Sequence, residues 1–173
     1  MAETVQVLPD ESRDRGITDD RCFAIGRGAA RRLFVSYAEE LGIDLGFQGF
    51  TAELADLPGA YGPPWGVLFL LWEGSEPVAC GALRPLPQEY GEENTAEIKR
   101  LYVIPTHRGL GLSRKLLLLL IDSARTMGYR RVVLDTLDRL TAANALYRSA
   151  GFIEISSYNG NPLSGVRFFA IDL

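Results

Sequence analysis

Cysteine, histidine and methionine are all scarce in this chain. Two cysteines (Cys22 and Cys80), one histidine (His107) and two methionines stand among 173 residues. The two thiols are isolated and lack metal-ligand spacing, so they build neither a disulfide framework nor a zinc site. Buried, inert cysteines in a reducing compartment are the expectation, and with them a cytoplasmic location. No cluster of His, Cys and carboxylate has ligand spacing, so no metal is expected. Asp135 and Asp138, which flank Thr136 on and after a strand, read as solvated edge charges. Long apolar runs are also missing. Leu116 to Ile121 has six residues, far too few to cross a bilayer. The first residues carry Glu3, Asp10, Glu11 and Asp14 with no apolar stretch between them, so no secretory signal is expected and no membrane partner. Concentrated positive charge is lacking as well. Eighteen Lys and Arg against 22 Asp and Glu give a net charge of −4, which argues against nucleic acid as a partner. An acidic surface suits an amine substrate, although net charge speaks to solubility more than to chemistry.

What is present fits one domain spanning residues 1–173, long enough to bury a sizeable core. Apolar content of 47% and charged content of 23% are those of an ordinary globular chain. Residues 3–8 alternate polar and apolar and read as a first strand. From Phe23 to Leu41 apolar residues recur at helical spacing, with Gly42 as the stop. Phe50 to Leu57 reads as a second helix capped by Thr51. Strands at Val67–Trp72 and Val78–Leu83 are joined as a hairpin through Glu73-Gly74-Ser75-Glu76-Pro77. A strand at Glu97–Ile104 stops at Pro105, and a Leu-rich helix runs from Leu112 to Met127. A strand at Val132–Thr136, a helix capped by Thr141 and running through Ala150, and strands at Phe152–Ser156 and Val166–Leu173 complete the chain. Leu116 to Ile121 is apolar around the whole helix circumference, which predicts burial on more than one side. The element order predicts an α+β fold, a mixed central sheet of about seven strands with helices on both faces.

The most informative stretch is Arg108-Gly109-Leu110-Gly111-Leu112-Ser113, between the Glu97–Ile104 strand and the Leu-rich helix. The first amides of a helix lack internal partners and sit at the positive end of the macrodipole. Glycines let such a backbone approach a ligand closely, so the stretch predicts an anion site, most naturally for a pyrophosphate. The common nucleotide loops do not fit its spelling. A P-loop needs Gly-Lys-Ser/Thr, whereas Leu112 and Ser113 follow Gly111. A dinucleotide fingerprint needs a third glycine where Arg114 stands. On glycines alone, an ordinary turn before a helix is the better explanation of the stretch.

Two segments together decide between these readings. Val103-Ile104-Pro105-Thr106-His107-Arg108-Gly109-Leu110-Gly111-Leu112-Ser113 resembles the coenzyme A loop of the GNAT superfamily of acyl-CoA-dependent N-acyltransferases. Ala142-Ala143-Asn144-Ala145-Leu146-Tyr147-Arg148-Ser149-Ala150-Gly151-Phe152 resembles that superfamily's second signature, A-x-x-L-Y-x-x-x-G-F. They follow one another in the family's order and spacing, and the resemblance covers residues 65–173 well. Ser113 departs from the family's Gly/Ala at the last loop position.

The resemblance implies acetyl-CoA as co-substrate and direct transfer of its acyl group to a primary amine of a small molecule or peptide in a ternary complex. It assigns the pyrophosphate to Arg108, Gly109, Gly111, Leu112 and Ser113, the pantetheine arm to Asn144, and the oxyanion to the backbone N–H of Val103. The amine must lose a proton before it attacks, since an ammonium of pKa roughly 10.4 has no lone pair to offer. Glu97, at the start of the strand, resembles the glutamate of several GNAT enzymes and is the expected catalytic base; its structural alternative is a partner for Lys99 or Arg100. Tyr147, the signature tyrosine, is the expected catalytic acid for the departing thiolate. His107, just before the loop, reads as a loop residue. The acceptor is expected among the N-terminal helices and the loops at 58–65, 88–94 and 157–165. A homodimer is compatible with a sequence that carries no signal for oligomeric state. The rival reading is a non-catalytic acyl-CoA-binding sensor or regulatory module; Glu97 and Tyr147 favour the enzyme.

Overall fold

Val67-Leu68-Phe69-Leu70-Leu71 is apolar at every position, a pattern that a strand tolerates only when both of its faces are covered. The computed structural model describes residues 3–7, 20–90 and 93–173, and it covers both faces. Val67, Phe69 and Leu71 pack under one helix with Leu116, Leu117 and Leu120. Leu68 and Leu70 pack under another with Ala29, Ala30, Leu33 and Phe34.

The elements run β1 (Glu3–Val7), α1 (Asp20–Leu41), α2 (Phe50–Asp56), β2 (Val67–Glu73), β3 (Glu76–Pro85), β4 (Thr95–Val103), α3 (Leu112–Thr126), β5 (Arg131–Leu137), α4 (Thr141–Ser149), β6 (Ile153–Ile155) and β7 (Val166–Asp172). The seven strands form one sheet in the order β1-β2-β3-β4-β5-β7-β6. Every pairing is antiparallel except β4 with β5. That parallel pair requires the crossover that α3 supplies. The α+β architecture with helices on both faces is the one expected from the element order.

Three local expectations are corrected. The segment Leu116 to Ile121 is not buried all round: Leu118 is 44% exposed while Leu116, Leu117 and Leu120 are fully buried. The sheet covers only one side of α3, and a six-residue run sweeps past that stripe. Thr51 does not cap α2, which follows Gly49 in a left-handed conformation (φ 70°) and has no side-chain cap. Thr141 does not cap α4 either, because the helix already begins at Thr141 and Leu140 holds the cap position. The expected strand residue Leu8 and the side chain of Cys22 lie outside the described residues.

β4 carries the distortion that matters for the site. Lys99 pairs with Ala82 and Tyr102 with Cys80, so Arg100 and Leu101 together oppose the single residue Gly81. This is a β-bulge, and Arg100 takes the left-handed conformation within it (φ 58°). A non-glycine residue holds that conformation only when its surroundings fix it. Here Arg100 Nε and Nη2 donate to the two carboxylate oxygens of Glu53 on α2 at 2.9 and 2.6 Å. Across the bulge, a Cβ on Gly81 would meet Leu120 Cδ1 at 3.1 Å and Leu101 Cδ1 at 3.2 Å. Glycine there lets α3 lie tightly on the distorted strand.

Candidate active site

β4 and β5 are paired only from Thr95–Arg131 to Glu97–Val133. β4 continues to Val103 beside β3, and β5 continues to Leu137 beside β7. The two strands therefore part company after Glu97, and a cleft opens in the middle of the sheet. Just past the parting, Lys99 Nζ and Asp135 Oδ1 meet at 2.9 Å across the gap.

Two cavities occupy the cleft. The larger, about 550 Å³, is bordered by the 107–114 loop, the end of α1, the 101–103 stretch of β4 and α4. The smaller, about 70 Å³, lies between residues 98–101 of β4 and 134–136 of β5, with Gln48 on its wall. Tyr37, Leu101, Leu140, Ala143 and Tyr147 border both, so the cavities meet at a common waist.

The glycine loop forms the outer end of the large cavity. Gly109 and Gly111 are both left-handed (φ 78° and 80°), with nothing within 4 Å of a notional Cβ. Gly111 is the cap residue of α3, which has no side-chain cap and no acidic residue in its first turn. The amides of the first turn are therefore left for a ligand, and the field at that end favours an anion. Leu112 is buried in the core and pins the loop, while Gly111, Ser113 and Arg114 border the cavity. An uncapped helix end facing a cavity of this size fits a coenzyme A pyrophosphate.

The Arg108 side chain crosses the cavity. Its Nε donates to the Val103 carbonyl at 3.1 Å, and its Nη2 lies 2.6 Å from both carboxylate oxygens of Glu40 on α1. The Tyr102 hydroxyl also donates to Glu40 at 3.1 Å. The hydrogen bond from Arg108 holds the Glu40 carboxyl below its usual range against the opposing effect of burial, and Tyr102 adds to it. His107 is tied to the end of β2, its Nε2 lying 2.8 Å from Glu73, as befits a loop residue.

Val103 borders the large cavity. The Ile104 amide donates to the Val78 carbonyl at 3.0 Å. Hydrogen-bonded and non-hydrogen-bonded pairs alternate along an antiparallel ladder, so the Val103 amide and carbonyl point from the opposite edge of β4, the edge that β5 has left. The bond from Arg108 to the Val103 carbonyl agrees with that direction.

Tyr147 sits at the waist, 7% exposed. Its ring is held 6.0 Å from the centroids of Phe152 and Phe169. Burial pushes its phenol well above the ordinary value, so it stays protonated. Tyr37 from α1 faces the same waist and its phenol is likewise raised by burial.

Three sequence expectations meet a different arrangement. Glu97 is 1% exposed and borders neither cavity. Its Oε2 accepts two bonds from Arg84 (2.9 and 2.7 Å); its Oε1 accepts from the Tyr158 hydroxyl (2.8 Å) and lies 3.5 Å from Lys99 Nζ. A carboxylate offers about four lone-pair sites; three of Glu97's accept hydrogen bonds, and the Lys99 ammonium stands beside the carboxylate as an ion-pair partner. Its placement is closer to the ion-pair alternative than to a base, with Lys99 but not Arg100 as a partner. Asn144 is buried in α4, but it does not border either cavity. Its Nδ2 donates to the Leu137 and Leu140 carbonyls at 2.8 Å, closing the turn between β5 and α4. Asp135 is no solvated edge charge: its side chain is 8% exposed, bonded to Lys99 and, through Oδ2, to Asn161 Nδ2 at 2.8 Å. Burial works to raise its carboxyl, but Lys99 together with Asn161 and Asn159 outweighs it and holds the group low. Asp138 is exposed, as expected.

Glu40, Gln48, Glu53 and Tyr37 went unrecognised in the sequence. All four come from the α1–α2 region, where helical periodicity identifies which residues face the sheet but nothing marks those that reach β4. Among the described residues no group of three or more His, Cys, Asp or Glu could hold a metal ion, and no helix is long and apolar enough to cross a membrane.

The chain is similar to known proteins in sequence and fold. The profile of the acetyltransferase (GNAT) family matches residues 33–152. An uncharacterized N-acetyltransferase of Schizosaccharomyces pombe is 37% identical over 144 residues, 83% of this chain and 86% of its own length. A Staphylococcus aureus acetyltransferase of the GNAT family superposes with a TM-score of 0.71 at 18% identity, over 98% of this chain and 99% of its own. A Bacillus anthracis acetyltransferase solved in complex with acetyl coenzyme A superposes with a TM-score of 0.53 at 19% identity, over 64% of each chain. The opened sheet, the uncapped glycine loop and the family match lead to one conclusion: the chain belongs to the acetyltransferase (GNAT) family and is an N-acetyltransferase.

Proposed function

We propose that the protein transfers an acetyl group from acetyl-CoA to a primary amine by direct attack, with both substrates bound at once. The observation that carries this reading is the large cavity. Val103, whose amide is freed from strand pairing, and the protonated Tyr147 both border it, with the glycine loop at its outer end.

Each residue has a physical task. The amides of Gly111, Leu112 and Ser113 hold the pyrophosphate, and Gly109 supplies the backbone shape. The Val103 N–H donates to the oxygen of the tetrahedral intermediate as charge develops on it; such preorganised donors are usually the largest single contribution to acyl transfer. Tyr147 donates its phenolic proton to the departing thiolate and recovers one from the nitrogen, which carries a positive charge once it has attacked. Arg108, kept in place by Glu40 and the Val103 carbonyl, sets the positive charge at the pyrophosphate end of the cavity. An acyl-enzyme route is disfavoured by Cys80, which is fully buried with its thiol donating to the Arg100 carbonyl at 3.3 Å and pushed up by burial.

Glu97, expected as the base, is here a positioning residue that anchors Lys99 at the parting of the strands. The carboxylates that do border the cavities are occupied: Glu40 by Arg108 and Tyr102, Asp135 by Lys99 and Asn161. The amine therefore sheds its proton to solvent, and the rate rises with pH until the amine's own pKa is reached. Calorimetry with acetyl-CoA, using ATP and NAD as controls, tests the foundation. Selective micromolar binding followed by thiol release with an amine supports the reading; absence of binding to any CoA thioester refutes it.

A further inference from the structure

Ile98, Leu101 and Val103 all pack on the α3 side of the sheet. In a regular strand residues two apart share a face, so Ile98 and Leu101 need one extra residue between them. The bulge at Arg100 supplies it. Faces and amide directions alternate together along a strand, so the same extra residue decides which way the Val103 N–H points. With the bulge it points to the edge that β5 has left. In a regular strand it would turn toward β3 and be spent on pairing. The oxyanion donor is therefore only as well aimed as the bulge is firmly placed.

The apolar faces demand an extra residue but do not hold it in one conformation. Arg100 is held from several sides. Its guanidinium donates to both carboxylate oxygens of Glu53 and lies 5.9 Å from the Tyr37 centroid and 5.1 Å from that of Phe50. Its carbonyl accepts from the Cys80 thiol at 3.3 Å. Glu53 is fixed in turn, because the Tyr61 hydroxyl donates to its Oε1 at 2.8 Å. A left-handed arginine persists only where its surroundings over-determine it, and the Glu53 carboxylate is the one charged partner here. Glu53 borders neither cavity, so it reaches the reaction only through Arg100.

Resting on the acetyl-transfer reading above, we infer that Glu53 is a positioning residue for the reaction: through Arg100 it fixes the bulge of β4 and so aims the Val103 N–H at the oxygen on which charge develops. A donor of this kind acts in the transition state, so loosening it should lower kcat and spare acetyl-CoA affinity.

Glu53→Gln keeps the side-chain shape and one acceptor but gives up the charge and the second bond. Thiol release from saturating acetyl-CoA would be followed with propylamine and with water alone as the acceptor, and acetyl-CoA affinity by calorimetry. In Glu53→Gln kcat should fall about tenfold, short of the roughly hundredfold that a 1 Å misplacement can cost, with the acetyl-CoA Kd unchanged. Amide exchange followed by NMR reads the bulge without turnover. The Ile104 amide, bonded to Val78 in the parent, should lose protection in the same variant. The double variant Arg100→Gly with Glu53→Ala removes both charges and places in the bulge a residue at home in the left-handed region. It should turn over faster than Glu53→Gln, although it has no carboxylate at all. An unchanged kcat in Glu53→Gln overturns the inference, as does a lower kcat with Ile104 still fully protected. A double variant no faster than Glu53→Gln also overturns it. Failure of the parent to bind acetyl-CoA removes instead the reading on which the inference rests.

Discussion

The two cavities meet at Tyr147 yet are built from opposite materials. The large one is bordered by nearly continuous stretches, 101–103, 107–114 and 139–147, and its loop end is backbone: two left-handed glycines and an uncapped helix. The small one is a side-chain structure. Its walls come from the α1–α2 connection, the bulge of β4 and the far half of β5, and they are held by charge pairs out of contact with solvent. A backbone site tolerates sequence change around a few fixed glycines. A side-chain site depends on each partner, because removing one charge strands the other in a medium that solvates it poorly.

Perturbations should separate the two sites accordingly. The largest effect is expected for Glu53→Ala, which leaves the Arg100 guanidinium buried and unpaired inside the bulge. Breaking such a pair costs about 3–5 kcal/mol, and urea unfolding followed by circular dichroism should register a loss in that range. A loss under 1 kcal/mol would mean that the bulge does not depend on this pair.

Next comes Tyr147→Phe, which keeps the ring between Phe152 and Phe169 and removes only the phenolic proton. General acid catalysis contributes about 10²–10⁴-fold, so kcat should drop about a hundredfold while acetyl-CoA affinity by calorimetry and the melting temperature hold. Unchanged turnover would remove Tyr147 from the acid's role.

Gly111→Ala should cost about 1–2 kcal/mol, the penalty of placing a Cβ on a left-handed residue. No clash adds to it, since nothing lies near the new methyl. The variant should also weaken acetyl-CoA binding, because relaxing that conformation re-aims the first amides of α3. Intact affinity alongside the stability loss would show that the amides do not hold the ligand.

The smallest effect concerns pH. Asp135 has a folded-state pKa below its unfolded one, so the folded state binds fewer protons there than the unfolded state. Its contribution is fully present above the unfolded value of about 3.9 and is lost as pH falls through the lower folded value. Asp135→Asn should therefore be less stable near neutrality yet lose stability less steeply on acidification below about pH 4. Parallel curves for the two proteins would show that another carboxylate carries the acid sensitivity.

Much of the larger site was legible because its chemistry is local. Gly109, Gly111 and the helix start at Leu112 are consecutive in the chain, and the physics of an unsatisfied helix end needs nothing else. Tyr147 was legible through its motif. Glu97 and Asn144 show the limit of the same reasoning. Both stand where a motif places them, but a carboxylate acts as a base only where it faces the substrate, and Arg84, Tyr158 and Lys99 engage Glu97 away from both cavities. Asn144 turned from the cavity because the sharp turn after β5 left carbonyls that its amide could satisfy. Asp135 was misread for a related reason: alternation along β5 gives a face, and only the partner Lys99, 36 residues away, makes that face a place where a charge can be buried.

By itself the sequence determined the element order, the mixed sheet and the glycine turn at the start of α3, because each follows from the period of apolar residues or from adjacent backbone geometry. Tertiary structure alone decided where β4 leaves β5, how the Arg100 bulge is held by Glu53, and which carboxylates are spent on cations. Those outcomes depend on contacts between residues 13 to 68 positions apart, and no local propensity encodes the partner at the other end.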